Sequence, residues 1–125
     1  MKQKTLIMLV DDEMDITETY GIYLEYHGFE VITANSATDA LAKLGTRLPD
    51  VIVSDCMMPL VDGIEFSRRL KARPDTCGIP LILTSGAPYF HDLSSPTYDV
   101  FLLKPVAMSR LIDEIGRLLA ARAAR

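Results

Sequence analysis

The chain has 125 residues, of which 49% are hydrophobic and 24% are charged, as is typical of a single soluble globular domain. Its 13 basic and 17 acidic residues give a net charge of −4, whereas domains that bind nucleic acid usually carry a basic excess. No apolar run approaches the roughly 20 residues that cross a bilayer, and Asp11 and Asp12 come too early for a signal peptide. We therefore predict one cytoplasmic domain, residues 1–125, that binds neither nucleic acid nor a membrane directly.

The first half of the chain alternates strand and helix patterns. Residues 5–10 form a short run rich in Leu that lacks the polar alternation of a sheet with one wet face, which predicts a strand buried on both sides. A helical pattern follows from Met14 to His27, and Gly28 provides its stop. Residues 29–33 are a weaker apolar run, which we predict to be a strand near the edge of the sheet.

The second half continues the alternation. Ser36 and Asp39 have the spacing of a capping box and predict the start of a second helix. A third helix is predicted to end near Pro74, and regular apolar spacing from Met108 to Leu119 predicts the last one. Further apolar runs predict strands at residues 51–54, 80–83 and 100–103. Two prolines interrupt residues 86–99, so this connection should be short or irregular.

Polar residues follow four of the apolar runs, at the point where each strand should end. Strand and helix alternation in one small domain predicts a parallel sheet with helices on both faces, because right-handed crossovers return the chain to the same end of the sheet. The polar residues should then converge at one edge. They are Asp11, Asp12, Ser54, Asp55, Thr84, Ser85 and Lys104.

The three aspartates would repel one another in such a pocket, by about 4 kcal/mol for each pair 4 Å apart at an effective dielectric constant of 20. A cation is needed to offset this repulsion, and Mg²⁺ prefers carboxylate, carbonyl and water oxygens. A carboxylate can also attack phosphorus to form an acyl phosphate. The pattern therefore predicts a site for a divalent cation and a phosphoryl group.

Five sequence elements, taken in order, resemble the receiver domain of two-component response regulators. They are LVDDE, VIVSDCMMP, Asp62-Gly63, PLILTSGA and FLLKP. The resemblance covers essentially the whole chain. It implies an α/β, flavodoxin-like, doubly wound sheet of five parallel strands in the order 2-1-3-4-5, with the helix between strands 4 and 5 short or irregular.

The resemblance also implies roles for the acidic residues. Asp55 aligns with the aspartate that a histidine kinase phosphorylates. Asp12 aligns with the direct Mg²⁺ ligand, and Asp11 with the acid that reaches the metal mainly through water. The acceptor Asp55 and the backbone carbonyl of Met57 complete the implied set of metal ligands.

Further roles follow from the later motifs. Counting from Pro80, the hydroxyl that responds to the phosphoryl group aligns with Ser85 rather than Thr84. Lys104 aligns with the lysine that balances the phosphoryl charge, and its bond to Pro105 is expected to be cis. Phe101 aligns with the aromatic residue that moves with the hydroxyl.

The implied function is a phosphorylation-controlled signalling switch, not a turnover enzyme, although the domain assists its own phosphorylation and dephosphorylation. The implied partners are a sensor histidine kinase or a histidine phosphotransfer protein, a downstream protein that the sequence does not identify, and a second copy of the chain in a phosphorylation-dependent homodimer. Met57 and Ala87 occupy the two positions that tune loss of the phosphoryl group. Neither side chain can orient water by hydrogen bonding, which predicts a long-lived phosphorylated state.

Plainer interpretations remain beside these roles. Asp11 or Asp12 also suits the cap of the first helix, and Phe101 also suits a core position. A pseudo-receiver that binds partners without phosphorylation is the alternative function. An aspartyl phosphohydrolase is disfavoured, because it needs a second acid where this chain has Met57.

Overall fold

The computed structural model describes residues 4–86 and 96–124. Its elements are β1 (Leu6–Val10), α1 (Met14–Tyr26), β2 (Glu30–Ala34), α2 (Ala37–Leu44), β3 (Val51–Asp55), α3 (Gly63–Lys71), β4 (Leu81–Ser85), β5 (Val100–Leu103) and α4 (Met108–Ala123). All five strands are parallel, in the order β2-β1-β3-β4-β5. This confirms the predicted fold, including the weaker second strand at the sheet edge.

The connection between β4 and β5 is described only in part. Residues 96–99 carry no helix, while residues 87–95, and with them Ala87, lie outside the described residues. The expectation of a short or irregular helix there stays a prediction. None of the helices in the described ranges is long and apolar enough to cross a membrane.

The sheet separates two hydrophobic clusters, because alternate residues of a strand point to opposite faces. One cluster joins inward residues of the strands to α2 and α3, with Phe66 at its centre. The other joins the opposite faces of the strands to α1 and α4 through Leu24, Leu111 and Ile115. Both faces of β1, β3 and β4 are therefore covered, which explains why their sequences are apolar without alternation.

Side chains define the starts of two helices. The Ser36 hydroxyl accepts a hydrogen bond from the Asp39 backbone N–H at 3.0 Å, and the Asp39 carboxylate accepts one from the Asn35 N–H at 3.1 Å. This confirms the predicted capping box for α2. At α3, the Asp62 carboxylate accepts from the Glu65 N–H at 2.8 Å.

The expected cap of α1 is wrong. Glu13, and neither Asp11 nor Asp12, occupies the N-cap position, and its side chain makes no cap hydrogen bond. Asp11 still follows the strand direction, since its N–H donates to the Ala34 carbonyl at 3.1 Å. Near the start of α1 its carboxylate accepts from the Glu13 N–H, at 2.9 Å, which lies before the first turn of the helix.

Strand register aligns the carboxyl ends of the four strands β1, β3, β4 and β5. Val10 pairs with Ser54, Asp55 pairs with Thr84, and Ser85 pairs with Leu103. The next residue, Lys104, remains attached to this edge because its N–H donates to the Ser85 carbonyl at 2.7 Å. The residues that follow each strand are thus brought to one edge, as predicted.

Gly63 allows the chain after β3 to fold back tightly on the strand end. Its N–H donates to the Cys56 carbonyl at 2.8 Å. A Cβ atom at this position would lie 2.7 Å from both the Asp55 carbonyl oxygen and the Cys56 Cα. Because these are backbone atoms that cannot rotate away, only glycine fits here without moving the segment that carries Asp55.

Candidate functional site

Three carboxylates meet at the carboxyl edge of the sheet. One oxygen from each of Asp11, Asp12 and Asp55 lies within 4.8 Å of the other two. Asp11 and Asp55 are each only 5% exposed, whereas Asp12 is exposed. The structure therefore assembles the predicted acidic pocket with two buried acids and one at its mouth.

Lys104 is the cation in contact with this pocket. Its Nζ donates a hydrogen bond to Asp11 Oδ2 at 3.0 Å and lies 3.6 Å from Asp55 Oδ1. Its side chain is 17% exposed. The Lys104-Pro105 peptide bond is cis, which confirms that expectation.

The charges of the pocket shift two pKa values. Burial, followed by the negative charge of Asp11, raises the pKa of Asp55, and the opposing effects of Lys104 and the Met57 N–H are smaller. Burial alone would lower the pKa of Lys104, but the hydrogen bond to Asp11 and the charges of Asp11 and Asp55 outweigh it and raise that pKa. The lysine is therefore charged at neutral pH, and the Asp55 carboxylate is held in an environment that disfavours its charge.

Met57 lies where its backbone can reach the acceptor segment. Its N–H donates to Asp55 Oδ1 at 3.4 Å, a long hydrogen bond. Its side chain is 57% exposed and so does not line the core. The position suits a contribution from the main chain, while the side chain faces solvent.

Ser85 lies one strand from Asp55, on β4, and Phe101 lies two strands from it, on β5. Ser85 is fully buried at the end of β4. Phe101 pairs with Leu83 across β4 and β5, so it lies on the same sheet face as Ser85. It is half-buried against the α2/α3 cluster and contacts the Tyr98 ring, with centroids 6.1 Å apart.

Two further residues lie near the site, one expected at this edge without a role in the chemistry and one not expected there. Thr84, set aside in favour of Ser85, is the register partner of Asp55 and lines a cavity with it. Tyr20, which lies within the predicted first helix, lines the same cavity. Burial, opposed by Lys104 and reinforced by Asp11 and Asp55, raises the pKa of Tyr20. The sequence shows a hydroxyl side chain at both positions, but whether each lies near Asp55 depends on strand register and on the packing of α1.

The family of the chain follows from comparison with known proteins. The model of the response regulator receiver domain matches residues 7–116. The chain belongs to this family. Receiver domains of response regulators act as phosphorylation-dependent switches in two-component systems and generally bind Mg²⁺ at an acidic pocket, and response regulators work with histidine kinases.

Its relatives include longer regulatory proteins. The phosphate regulon transcriptional regulatory protein PhoB of Rhizobium meliloti is 42% identical over 77 residues, which are 62% of this chain and 34% of PhoB. The response regulator SaeR of Staphylococcus aureus is 32% identical over 118 residues, which are 92% of this chain and 50% of SaeR. The chain thus spans between about a third and half the length of these two relatives.

Solved receiver structures share the fold over nearly the whole chain. The signal receiver domain of a signal transduction histidine kinase from Syntrophus aciditrophicus is 30% identical, with a TM-score of 0.80 and coverage of 94% of this chain and 91% of that one. The chemotaxis response regulator CheY4 of Vibrio cholerae is 26% identical, with a TM-score of 0.80 and coverage of 93% and 99%.

Proposed function

We propose that the chain is a signalling switch in which Asp55 accepts a phosphoryl group from a histidine kinase or a histidine phosphotransfer protein. One observation carries the proposal: the Asp55 carboxylate lies at the open end of the sheet, beside a second buried carboxylate and a lysine that contacts both. Such an arrangement places a nucleophile next to charges that can neutralise transferring phosphoryl oxygens.

Asp55 is the better nucleophile of the two buried acids. The Asp11 carboxylate is held by two short hydrogen bonds, from Lys104 at 3.0 Å and from the Glu13 N–H at 2.9 Å. Donors contact Asp55 only at 3.4 and 3.6 Å within residues 4–86 and 96–124. An oxygen with weaker hydrogen bonds keeps more electron density for attack on phosphorus, which favours Asp55 as the acceptor.

The neighbouring thiol does not compete with this carboxylate. Cys56 is fully buried, and burial, with the charges of Asp62 and Asp55, raises its pKa to about 11. The thiol therefore stays protonated at neutral pH, and a thiol is a much weaker nucleophile than a thiolate.

The donor set suits Mg²⁺. Three carboxylates and one lysine leave a charge of about −2 in the pocket, and carboxylate and carbonyl oxygens are the ligands that this ion prefers. Asp11, Asp12, Asp55 and the backbone carbonyl of Met57 would hold it, Asp11 mainly through water. When bound, Mg²⁺ supplies positive charge against the phosphoryl oxygens.

The remaining residues would convert phosphorylation into a change of surface. A phosphoryl group adds charge of about −2 and new acceptor oxygens, which Lys104 can meet from its present position 3.6 Å from Asp55. The Ser85 hydroxyl lies at the end of the adjacent strand, and Phe101 is on the same face of β5. A shift of Ser85 toward the phosphoryl group would open space for Phe101, and β5 and α4 would present the altered surface to a downstream protein or to a second copy of the chain.

The test is phosphorylation by acetyl phosphate in the presence of Mg²⁺, followed by intact mass measurement. The native chain should gain the mass of one phosphoryl group, and Asp55→Asn should gain none. Asp75→Asn is the matched control, because Asp75 is an exposed aspartate paired with Arg73 on the surface. An unmodified native chain that still binds a kinase would point instead to the pseudo-receiver.

A further inference from the structure

A small cavity adjoins the acidic pocket between α1 and the sheet. Its volume is about 10 Å³, which is close to the space that one water molecule requires. Part of its wall is apolar core, but five of its side chains carry oxygen atoms. These are Asp11, Thr17, Tyr20, Asp55 and Thr84.

Thr84 brings a hydroxyl to a position where the rest of its strand face is apolar. It is the register partner of Asp55, and Ile82, two residues earlier on the same face, belongs to the α1/α4 cluster. Thr84 is only 2% exposed. Because burying a hydroxyl without a hydrogen bond is costly, a partner within this cavity is expected.

Tyr20 approaches the same space from α1. Its ring packs against the α1/α4 cluster, and the side chain lines the cavity together with Asp11 and Asp55. This side chain thus reaches from the first helix to the edge of the acidic pocket. A tyrosine hydroxyl can donate its proton in a hydrogen bond.

Asp55 is the group in need of donors. It is 5% exposed and lies beside the like charge of Asp11, yet its contacts with Met57 and Lys104 are both longer than an ordinary hydrogen bond to a carboxylate. Asp55 lines the cavity together with Thr84 and Tyr20. A water molecule between them could bond to all three.

We propose that one ordered water molecule occupies this cavity and that Thr84 and Tyr20 are positioning residues of the phosphoacceptor. Their hydroxyl groups donate to the water oxygen, and the water donates its two hydrogens to the carboxylates of Asp55 and Asp11. Four hydrogen bonds are within the usual range for a buried water. The role in phosphorylation rests on the proposed function of Asp55, whereas the water site itself does not.

The water would hold the Asp55 carboxylate in one orientation and separate it from Asp11. Orientation of a nucleophile contributes to rate, because a rotating carboxylate must first be ordered. Loss of one such hydrogen bond should slow phosphorylation by roughly five- to tenfold. Both hydroxyls act through the same water, so removing the second should add little to removing the first.

The variants are chosen to remove a hydroxyl with little change of shape. Thr84→Val and Tyr20→Phe delete one hydroxyl each, and Thr84→Ser restores it. Tyr23→Phe is the control on the same helix, since Tyr23 stacks on His27 away from the cavity. Thr76→Val is the control for a buried threonine, because its hydroxyl donates to the Leu70 carbonyl at 2.6 Å, far from the site.

Two measurements are made on the full chain. The first is the rate of phosphorylation by acetyl phosphate, with Mg²⁺ affinity measured in parallel. The second is a nuclear Overhauser effect between a long-lived water and the Thr84 methyl or the Tyr20 ring, recorded without any phosphoryl donor. We expect the water signal in the native chain, its loss in Thr84→Val, and slower phosphorylation of Thr84→Val and Tyr20→Phe at unchanged Mg²⁺ affinity.

Thr84→Ser should stay within about twofold of the native rate. The proposal is overturned if no long-lived water contacts Thr84 or Tyr20, if both variants react at the native rate, or if Tyr23→Phe and Thr76→Val slow the reaction equally. A native chain that takes no phosphoryl group overturns the proposed function and the positioning role together. The water signal would then still decide the water site alone.

Discussion

Replacement of Lys104 by methionine should make the fold depend on Mg²⁺. The Nζ atom is 3.0 Å from Asp11 and 3.6 Å from Asp55. At an effective dielectric constant of 20 these separations correspond to attractions of about 5.5 and 4.6 kcal/mol. Removing the lysine eliminates both attractions and leaves two buried carboxylates next to each other. It also removes the cost of burying the ammonium group, which offsets part of the loss.

The net loss should be about 3 kcal/mol, at the lower end of the range for breaking a buried ion pair, because the lysine keeps some exposure. Without Mg²⁺ the melting temperature should fall by roughly 10 °C. Added Mg²⁺ should recover much of this loss, since a cation that binds only the folded state stabilises it. Lowering the pH should also reduce the difference in stability between Lys104→Met and the native chain, because protonation of Asp55 removes its repulsion with Asp11.

Urea denaturation with chelator and with Mg²⁺ measures the effect, and Lys43→Met is the matched control. Lys43 forms an ion pair with Asp39 at 3.2 Å, a similar distance, but its side chain is 46% exposed, so its loss should cost less than about 1 kcal/mol. The electrostatic account of the pocket is refuted if Lys104→Met loses no more stability than Lys43→Met, or if Mg²⁺ leaves the difference between them unchanged.

Three further predictions follow from single residues. The pKa of Asp55 is raised in the fold, so its ionisation costs stability as pH rises above the ordinary pKa of 3.8. Without Mg²⁺, Asp55→Asn should therefore be more stable than the native chain at pH 7 and equally stable below pH 3.8. A difference in stability that is constant at all pH values would contradict this. Gly63→Ala should lower the free energy of unfolding by about 1–3 kcal/mol, because its Cβ would lie 2.7 Å from backbone atoms. Gly116→Ala is the control on α4, where a Cβ enters open space, and it should raise the free energy of unfolding in urea by up to about 1 kcal/mol. Met57→Asn should shorten the phosphoryl lifetime measured by intact mass over time, and Met57→Leu should not; equal lifetimes would reject a role for this position.

Much of the fold was predictable because its signals are local. The runs before Asp11, Asp55 and Ser85 are apolar on both faces, which is typical of a parallel sheet covered on both sides. The capping box at Ser36 is set by side chains three residues apart, so the start of α2 could be predicted from sequence and is confirmed. Convergence of the acids followed from topology, since parallel strands end at a common edge.

The errors and omissions concern details that local spacing does not set. The cap of α1 was wrong because the path of Asp11 is held by its bond to Ala34, on another strand. Thr84 was expected at this edge but given no role, and Tyr20 was not expected there, because their relation to Asp55 depends on strand register and on the packing of α1. Neither quantity is encoded within a short window of sequence.

The sequence by itself determined which chemical groups meet at the edge of the sheet: three carboxylates, one lysine and hydroxyl groups that follow apolar strands. Only the tertiary structure decided which of these groups contact one another, and at what distances. Lys104 bonds closely to Asp11 and more loosely to Asp55, and in the proposed function this difference leaves Asp55 available to react. Distances of this kind arise from register and packing between elements far apart in sequence, which is why composition and spacing could name the groups but could not assign their partners.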